Sequence, residues 1–240
     1  MGLLRKKEST PDNCVVKFFK TIHQSDFNDI KPCFEIMLDV FLSREYEFTG
    51  VEINYGSKQY KKVSAFYKLL ETKDVVYFNA GFRPKGWVPD ERAFAPADLN
   101  STGIIYSNPL LNLSNKTDEK SYIEFICVIP YEWYSPDLIK SIVTDVDKAI
   151  GLTYSYVCFL PKHYDAVAEK PLKITSFSVS ATVTKEDIVT RNDMKNIDCG
   201  FIPKTYPVNF YNSAQLECIK ENADHIEKIS DNLTLVTYAS

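Results

Sequence analysis

SYIEFICVIPYEWYSPDLIKSIVTDVDKAIGLTYSYVCFLP, residues 121–161, decides the fold: it reads as a strand, a helix and a second strand. The helix is predicted over 136–149. Ser135 suits the N-cap, where its hydroxyl accepts from an otherwise unpaired amide of the first turn, and Pro136 takes the first helical position, where a missing N–H costs nothing. Asp137 stands near the positive end of the helix dipole, Lys148 near the negative end, and Gly151 can adopt the left-handed stop. Leu138, Ile139, Ile142, Val143, Val146, Ala149 and Ile150 share one stripe, with Lys140, Thr144, Asp147 and Lys148 away from it. Burying each large aliphatic side chain is worth roughly 1.5–3 kcal/mol before entropy is subtracted, which outweighs the weak helix propensity of the β-branched members.

The flanking runs differ in kind. Tyr122 to Ile129 is apolar almost throughout, broken by Glu124, and Leu152 to Leu160 is similar. Such runs suit strands covered on both faces, and two strands joined by a crossover helix are either parallel neighbours or members of a mixed sheet.

Working outward, Asn13 to Lys20 reads as a first strand, and 33–46 as a helix presenting Phe34, Met37, Leu38, Phe41 and Leu42. Phe48 to Tyr55 alternates as a half-exposed strand, Ser57 to Lys73 returns to helical spacing, and Val75 to Phe82 is a further strand. From Arg83 to Lys120 the chain is irregular, with strand character at Gly103 to Tyr106. On the other side, Leu172 to Val183 alternates as one long strand, and 184–200 is polar and ambiguous. Phe201 to Tyr211, with two prolines, suits an irregular edge. A last helix is expected near 213–226, burying Leu216, Ile219, Ala223 and Ile226, and a last strand at Leu233 to Tyr238. The order predicts a single α+β domain over residues 1–240, with a mixed, largely antiparallel central sheet and helices packed on it. Two similar α/β halves, or a sub-division near 84–120, are the open alternatives.

Composition narrows the function classes. The chain has 240 residues, 45% hydrophobic and 25% charged, which is ordinary for a globular protein. A net charge of −4 argues against electrostatic binding to nucleic acid or an anionic membrane. No apolar run approaches the ~20 residues of a membrane helix, and the start, MGLLRKKESTPDN, has no apolar core of a secretory signal. A cytoplasmic location with reduced thiols is the expectation.

The chemistry-bearing residues are scattered. The eight glycines form neither GxGxxG nor a Walker sequence, and His23, His163 and His225 lack metal-ligand spacing, so neither a cofactor nor a metal is expected. Cys158 and His163 lie five residues apart, and Cys199 precedes Gly200 in a loop. One reading makes one of these an activated thiolate in a cysteine-dependent hydrolase or transferase. The other gives a strand cysteine and a loop histidine with no joint role, and it is the stronger, because six cysteines and three histidines produce a near pair by chance. The carboxylate pairs Glu45/Glu47, Asp118/Glu119 and Asp145/Asp147 read as solvated turns or helix faces.

The loop KGWVPDERAFAPAD, Lys85 to Asp98, interleaves Trp87 and Phe94 with Asp90, Glu91, Arg92 and Asp98. Aromatic anchors rimmed by charge have the form of a binding hot spot. The alternative is that both rings pin the loop to the core. Tyr131, Trp133 and Tyr134 read as core.

The layout SAFYKLLETKDVVYF (Ser64 to Phe78), a Trp-containing loop, then FIPKTYPVNFYNSAQLECIKE (Phe201 to Glu221) and a terminal apolar strand resembles the immunity proteins of bacterial polymorphic toxins and type VI secretion effectors. The closest likeness is at Asn209, Phe210, Tyr211 and Ser213. The resemblance implies a cytoplasmic antitoxin that is not an enzyme and that binds a cognate toxin tightly. Trp87, Asp90, Glu91, Phe94 and Asp98 are its expected contacts, the acidic ones suited to a basic partner. A scaffold with a small-molecule pocket between sheet and helices is a third reading.

Overall fold

The computed structural model describes residues 11–23, 30–88, 102–108, 120–174, 179–219 and 223–238. In chain order the elements are β1 (Asn13–His23), α1 (Ile30–Leu42), β2 (Tyr46–Ile53), β3 (Gln59–Tyr60), α2 (Val63–Thr72), β4 (Tyr77–Pro84) and β5 (Gly103–Ser107). There follow β6 (Lys120–Pro130), α3 (Pro136–Ile150), β7 (Tyr154–Leu160), β8 (Tyr164–Asp165), β9 (Lys170–Ile174) and β10 (Val179–Ala181). The last are α4 (Lys185–Asp193), β11 (Val208–Tyr211), α5 (Ser213–Cys218), β12 (His225–Lys228) and β13 (Thr234–Thr237).

The central unit forms as its residues dictate. Ser135 Oγ accepts from the Leu138 amide at 3.2 Å, Pro136 opens α3, and Gly151 closes it at φ 66°. β6 and β7 run parallel to each other but are not neighbours, because β1 lies between them and is antiparallel to both. The described strands of the main sheet follow the order β12-β13-β11-β7-β1-β6-β5-β4-β2-β3, every pairing antiparallel. A small antiparallel sheet, β10-β9-β8, stands apart from it. The fold is α+β.

Alternation along the strands splits the core in two. Cys14, Val16 and Phe18 of β1, with Phe125 and Cys127 of β6, pack against α1, α2 and α3. Val15 and Phe19, with Ile126, Tyr154 and Tyr156, face the other way, toward the chain around Met194, Ile197 and Tyr206. Coverage on both faces explains the near-continuous apolar runs of β6 and β7.

Several expectations are corrected. The segment Leu172 to Val183 is a hairpin, Leu172 pairing with Ala181 and Lys173 with Ser180; period-two alternation marks extended chain but not where it reverses. β11 lies between β7 and β13 instead of at an edge. Its ladder begins just after Pro207, so neither proline interrupts it. The last helix stops at Cys218, and His225–Lys228 pairs with β13, leaving Ile226 exposed. Helix α2 starts at Val63, because Asn54 and Tyr55, both at positive φ, turn the chain back so that β3 pairs with β2. Leu42 is exposed. Asp147 is buried and accepts from the Leu152 amide at 2.7 Å, closing the turn after α3.

Candidate functional site

Helices α1, α2 and α3 pack on one face of the sheet, and the opposite face is covered unevenly. Tyr164, Ala166 and Val167, with the chain around Met194, Ile197 and Tyr206, pack over β7 and β1, while beyond β6 Tyr77, Ile105 and Ser107 on that face are half-buried among the described residues. Between the two lies a cleft of about 1050 Å³. Its floor comes from alternate residues of β1, β6 and β7: Lys17, Phe19, Tyr122, Glu124 and Tyr156. Tyr55 and Tyr77 stand on one wall, Glu169 and Tyr206 on the other, and α4 supplies part of the rim.

At the floor is a buried polar network. Lys17, 2% exposed, donates to Val167 O at 2.8 Å and pairs with Glu169 at 3.0 Å and, more loosely, with Glu124 at 3.7 Å. Phe19 is the partner of Glu124 across β1 and β6, so Lys17 sits diagonal to Glu124, a spacing that long side chains can bridge. Glu169 is the hub: it also accepts from Tyr156 Oη at 2.6 Å and Tyr206 Oη at 2.8 Å. Its backbone is held at φ 56°, and its amide donates to Asp165 O at 2.7 Å. The two tyrosine rings stack, centroids 3.8 Å apart, and Lys17 Nζ lies 5.7 Å from the Tyr156 centroid.

The electrostatics follow from this geometry. For Lys17, burial pulls the ammonium down, but the charges of Glu124 and Glu169 outweigh it, and the net shift is upward. Burial pushes the Glu169 carboxyl up; the Lys17 charge and hydrogen bonds from Tyr156, Lys17 and Tyr206 bring it below the ordinary carboxylate value. Glu124 is raised: burial dominates, and Lys17 and Arg191 offset it in part. Two carboxylates sharing one lysine are thus driven apart by the hydroxyls that only Glu169 receives. An ammonium this well paired stays charged and is no nucleophile. The network fixes the floor and holds Tyr156 and Tyr206 in place.

Of the residues singled out in sequence, Trp87 is described: it is 40% exposed, with the Arg83 guanidinium 5.1 Å from its ring. Asp90, Glu91, Phe94 and Asp98 lie outside the described residues. Trp87 follows the C-terminal end of β4, whereas the cleft takes Tyr77 from the other end, roughly 24 Å away at a strand's rise per residue. Trp87 and the cleft therefore mark different ends of the sheet. Trp133 packs on Tyr46 and Phe41, as core. Asn209, Phe210 and Tyr211 are buried in β11, where Asn209 accepts from Tyr154 Oη at 3.1 Å, so these residues build the sheet.

Cys158 is buried on the second face, and desolvation pushes its thiol up, away from an activated thiolate. Cys199 is exposed, and Lys120 Nζ lies 3.3 Å from its sulfur. Among the described residues no group of His, Cys, Asp and Glu could hold a metal ion, and no helix is long and apolar enough to cross a membrane.

Sequence reasoning missed the network, although its signal was present. Lys17 interrupts VVKFF and Glu124 interrupts YIEFICV, opposite charges in two runs otherwise fit for burial. Glu169 carries no such mark, lying in a polar turn.

No family model matches the chain, and no curated protein matches it. Among solved structures it is similar to a chain described as the Pseudomonas aeruginosa T6SS protein PA0821, at 8% identity and a TM-score of 0.49, over 98% of this chain and 69% of that one. A likeness of that degree carries no argument about activity or partner.

Proposed function

We propose that this chain is a cytoplasmic immunity protein, which neutralises a cognate secreted bacterial toxin by direct, tight binding and does no chemistry of its own. The observation that carries the reading is the uneven cover of the sheet: α1, α2 and α3 pack on one face, while among the described residues the other keeps a cleft with an aromatic and charged lining above a fixed floor. A preorganised concave surface of this kind limits the ordering cost of binding. The resemblance of layout to immunity proteins agrees with it. Trp87, beyond the end of β4, is a second contact in this reading, and Asp90, Glu91, Phe94 and Asp98 are proposed as contacts from the sequence alone.

The test is co-expression. The gene next to this one is expressed alone and together with this chain, and growth is followed. Toxicity of the neighbour, relieved by this chain through a complex of the two purified proteins, is the expected result. A harmless neighbour, or relief without a complex, overturns the proposal.

A further inference from the structure

We infer that the cleft receives an acidic segment of the protein partner, one in which carboxylates alternate with apolar side chains. This rests on the binding reading above and adds the chemistry of what enters.

The first observation is a local surplus of positive charge in a chain whose net charge is −4. Of the cations lining the cleft, Lys17 is taken by Glu169 and Glu124, Lys170 by Asp187, and Lys120 by Asp198 outside it. Arg191, Lys195 and Lys204 remain: none of them forms an ion pair within 4.0 Å among the described residues, and of the three only Arg191 acts on a lining carboxylate, Glu124, from farther off. Lys204 rests over the ring of Tyr206 at 4.9 Å. Of the lining carboxylates among the described residues only Asp165 has no cationic partner, and it already accepts from the Ala168 amide.

The second observation is α4. It buries no residue; Val183, exposed just before it, lines the cleft, and Ile188 and Val189 are exposed on the helix outside that lining. Helices this short are held in proteins by packing of an apolar face. Here a capping box at Thr184 and Asp187, together with the Lys170 contact to Asp187, holds the helix while its large aliphatic side chains stay in solvent. Exposed apolar side chains beside unpaired cations suit a partner that offers both kinds of group.

The third lies across the cleft. Tyr55, a bulky residue at φ 56°, is 68% exposed and stacks on Tyr77 with centroids 4.2 Å apart. A large side chain in the left-handed region is a strained conformer, kept where its surroundings impose it. The ring pair gives apolar groups of the segment a platform opposite the cations.

The experiment uses the full chain and R191E/K195E/K204E, with melting temperature compared to confirm that the variant folds. Association with the purified, inactivated neighbour-encoded protein should slow by about tenfold or more and lose its salt dependence. A labelled peptide of alternating glutamate and leucine should bind the wild type, and a lysine–leucine peptide at least about tenfold more weakly, in line with like-charge exclusion. Both peptides are read without the neighbour's protein, so they test the cleft even if the immunity reading fails. If the neighbour's protein binds wild type and variant equally, this inference falls and the immunity reading stands. Preference for the lysine peptide overturns it. Oligothymidylate binding that the triple reversal abolishes also overturns it, in favour of a nucleic-acid ligand.

Discussion

Replacing Lys17 by Met tests the cleft floor most sharply, because it keeps an unbranched stem of similar reach and removes only the ammonium. Glu169 would keep its two tyrosine hydroxyls, while Glu124, 3.7 Å from the lysine and with no other donor bonded to it among the described residues, would lose its nearest counter-charge. Breaking a buried pair by removing one partner costs about 3–5 kcal/mol, because it strands the other charge. At this chain length each kcal/mol moves the melting temperature by about 2–4 °C, so K17M should melt roughly 6–20 °C below wild type at neutral pH by calorimetry. The pH dependence has a definite sign. The folded-state pKa of Glu169 is depressed, so its contribution is present above the unfolded value and is lost as pH falls through the folded one. Without Lys17 both carboxyls are raised and become neutral on acidification, so the gap to wild type should narrow as pH drops toward about 4. Adding E124Q and E169Q should recover more than half of the loss. A K17M protein that melts with wild type at neutral pH, or a gap constant with pH, refutes the network as described.

Glu124→Gln alone has the opposite sense. Its folded pKa is raised, so the ionised form weakens the fold above that value; E124Q should melt higher than wild type at neutral pH, the advantage vanishing on acidification. Asn212→Ala removes the N-cap of α5, whose side chain accepts from Gln215 N at 2.9 Å and also donates to Thr153 O and Ile197 O at 2.9 and 2.8 Å. Denaturant melts should show a loss of about 1–3 kcal/mol, and no change would mean that water replaces those bonds at little cost. With native protein and iodoacetamide, Cys199 and Cys218 should be alkylated, and Cys14, Cys33, Cys127 and Cys158 only after denaturation. Rapid modification of folded Cys158 would revive the cysteine-enzyme reading.

How far the sequence carried the fold depended on whether information was local. Residues 121–161 hold both caps and the apolar stripe of α3 within one stretch, so the helix and its flanking strands were legible to within a residue or two. What lies between β6 and β7 was not, because the insertion of β1 depends on a register between strands far apart in the chain, Asn13 pairing with Pro130 and with Leu160. The hairpin at Leu172 and the reassigned strand at His225 failed for a related reason: extended or apolar spacing suits more than one element, and pairing with a distant strand decides. The site divides in the same way. Trp87 stood out for its residue type, whereas the cleft draws on β1, β6, β7, α4 and the Glu169 turn, none of which carries a motif alone. Its one visible trace was a pair of opposite charges inside runs otherwise fit for burial.

Hydrogen–deuterium exchange of this chain, free and bound to the inactivated neighbour-encoded protein, tests the binding account most directly. New protection over residues 183–195 and around Tyr55 and Tyr77, with α1 and α3 unchanged, is the predicted pattern. Protection confined to the helix-covered face, or none at all in a verified complex, would contradict it.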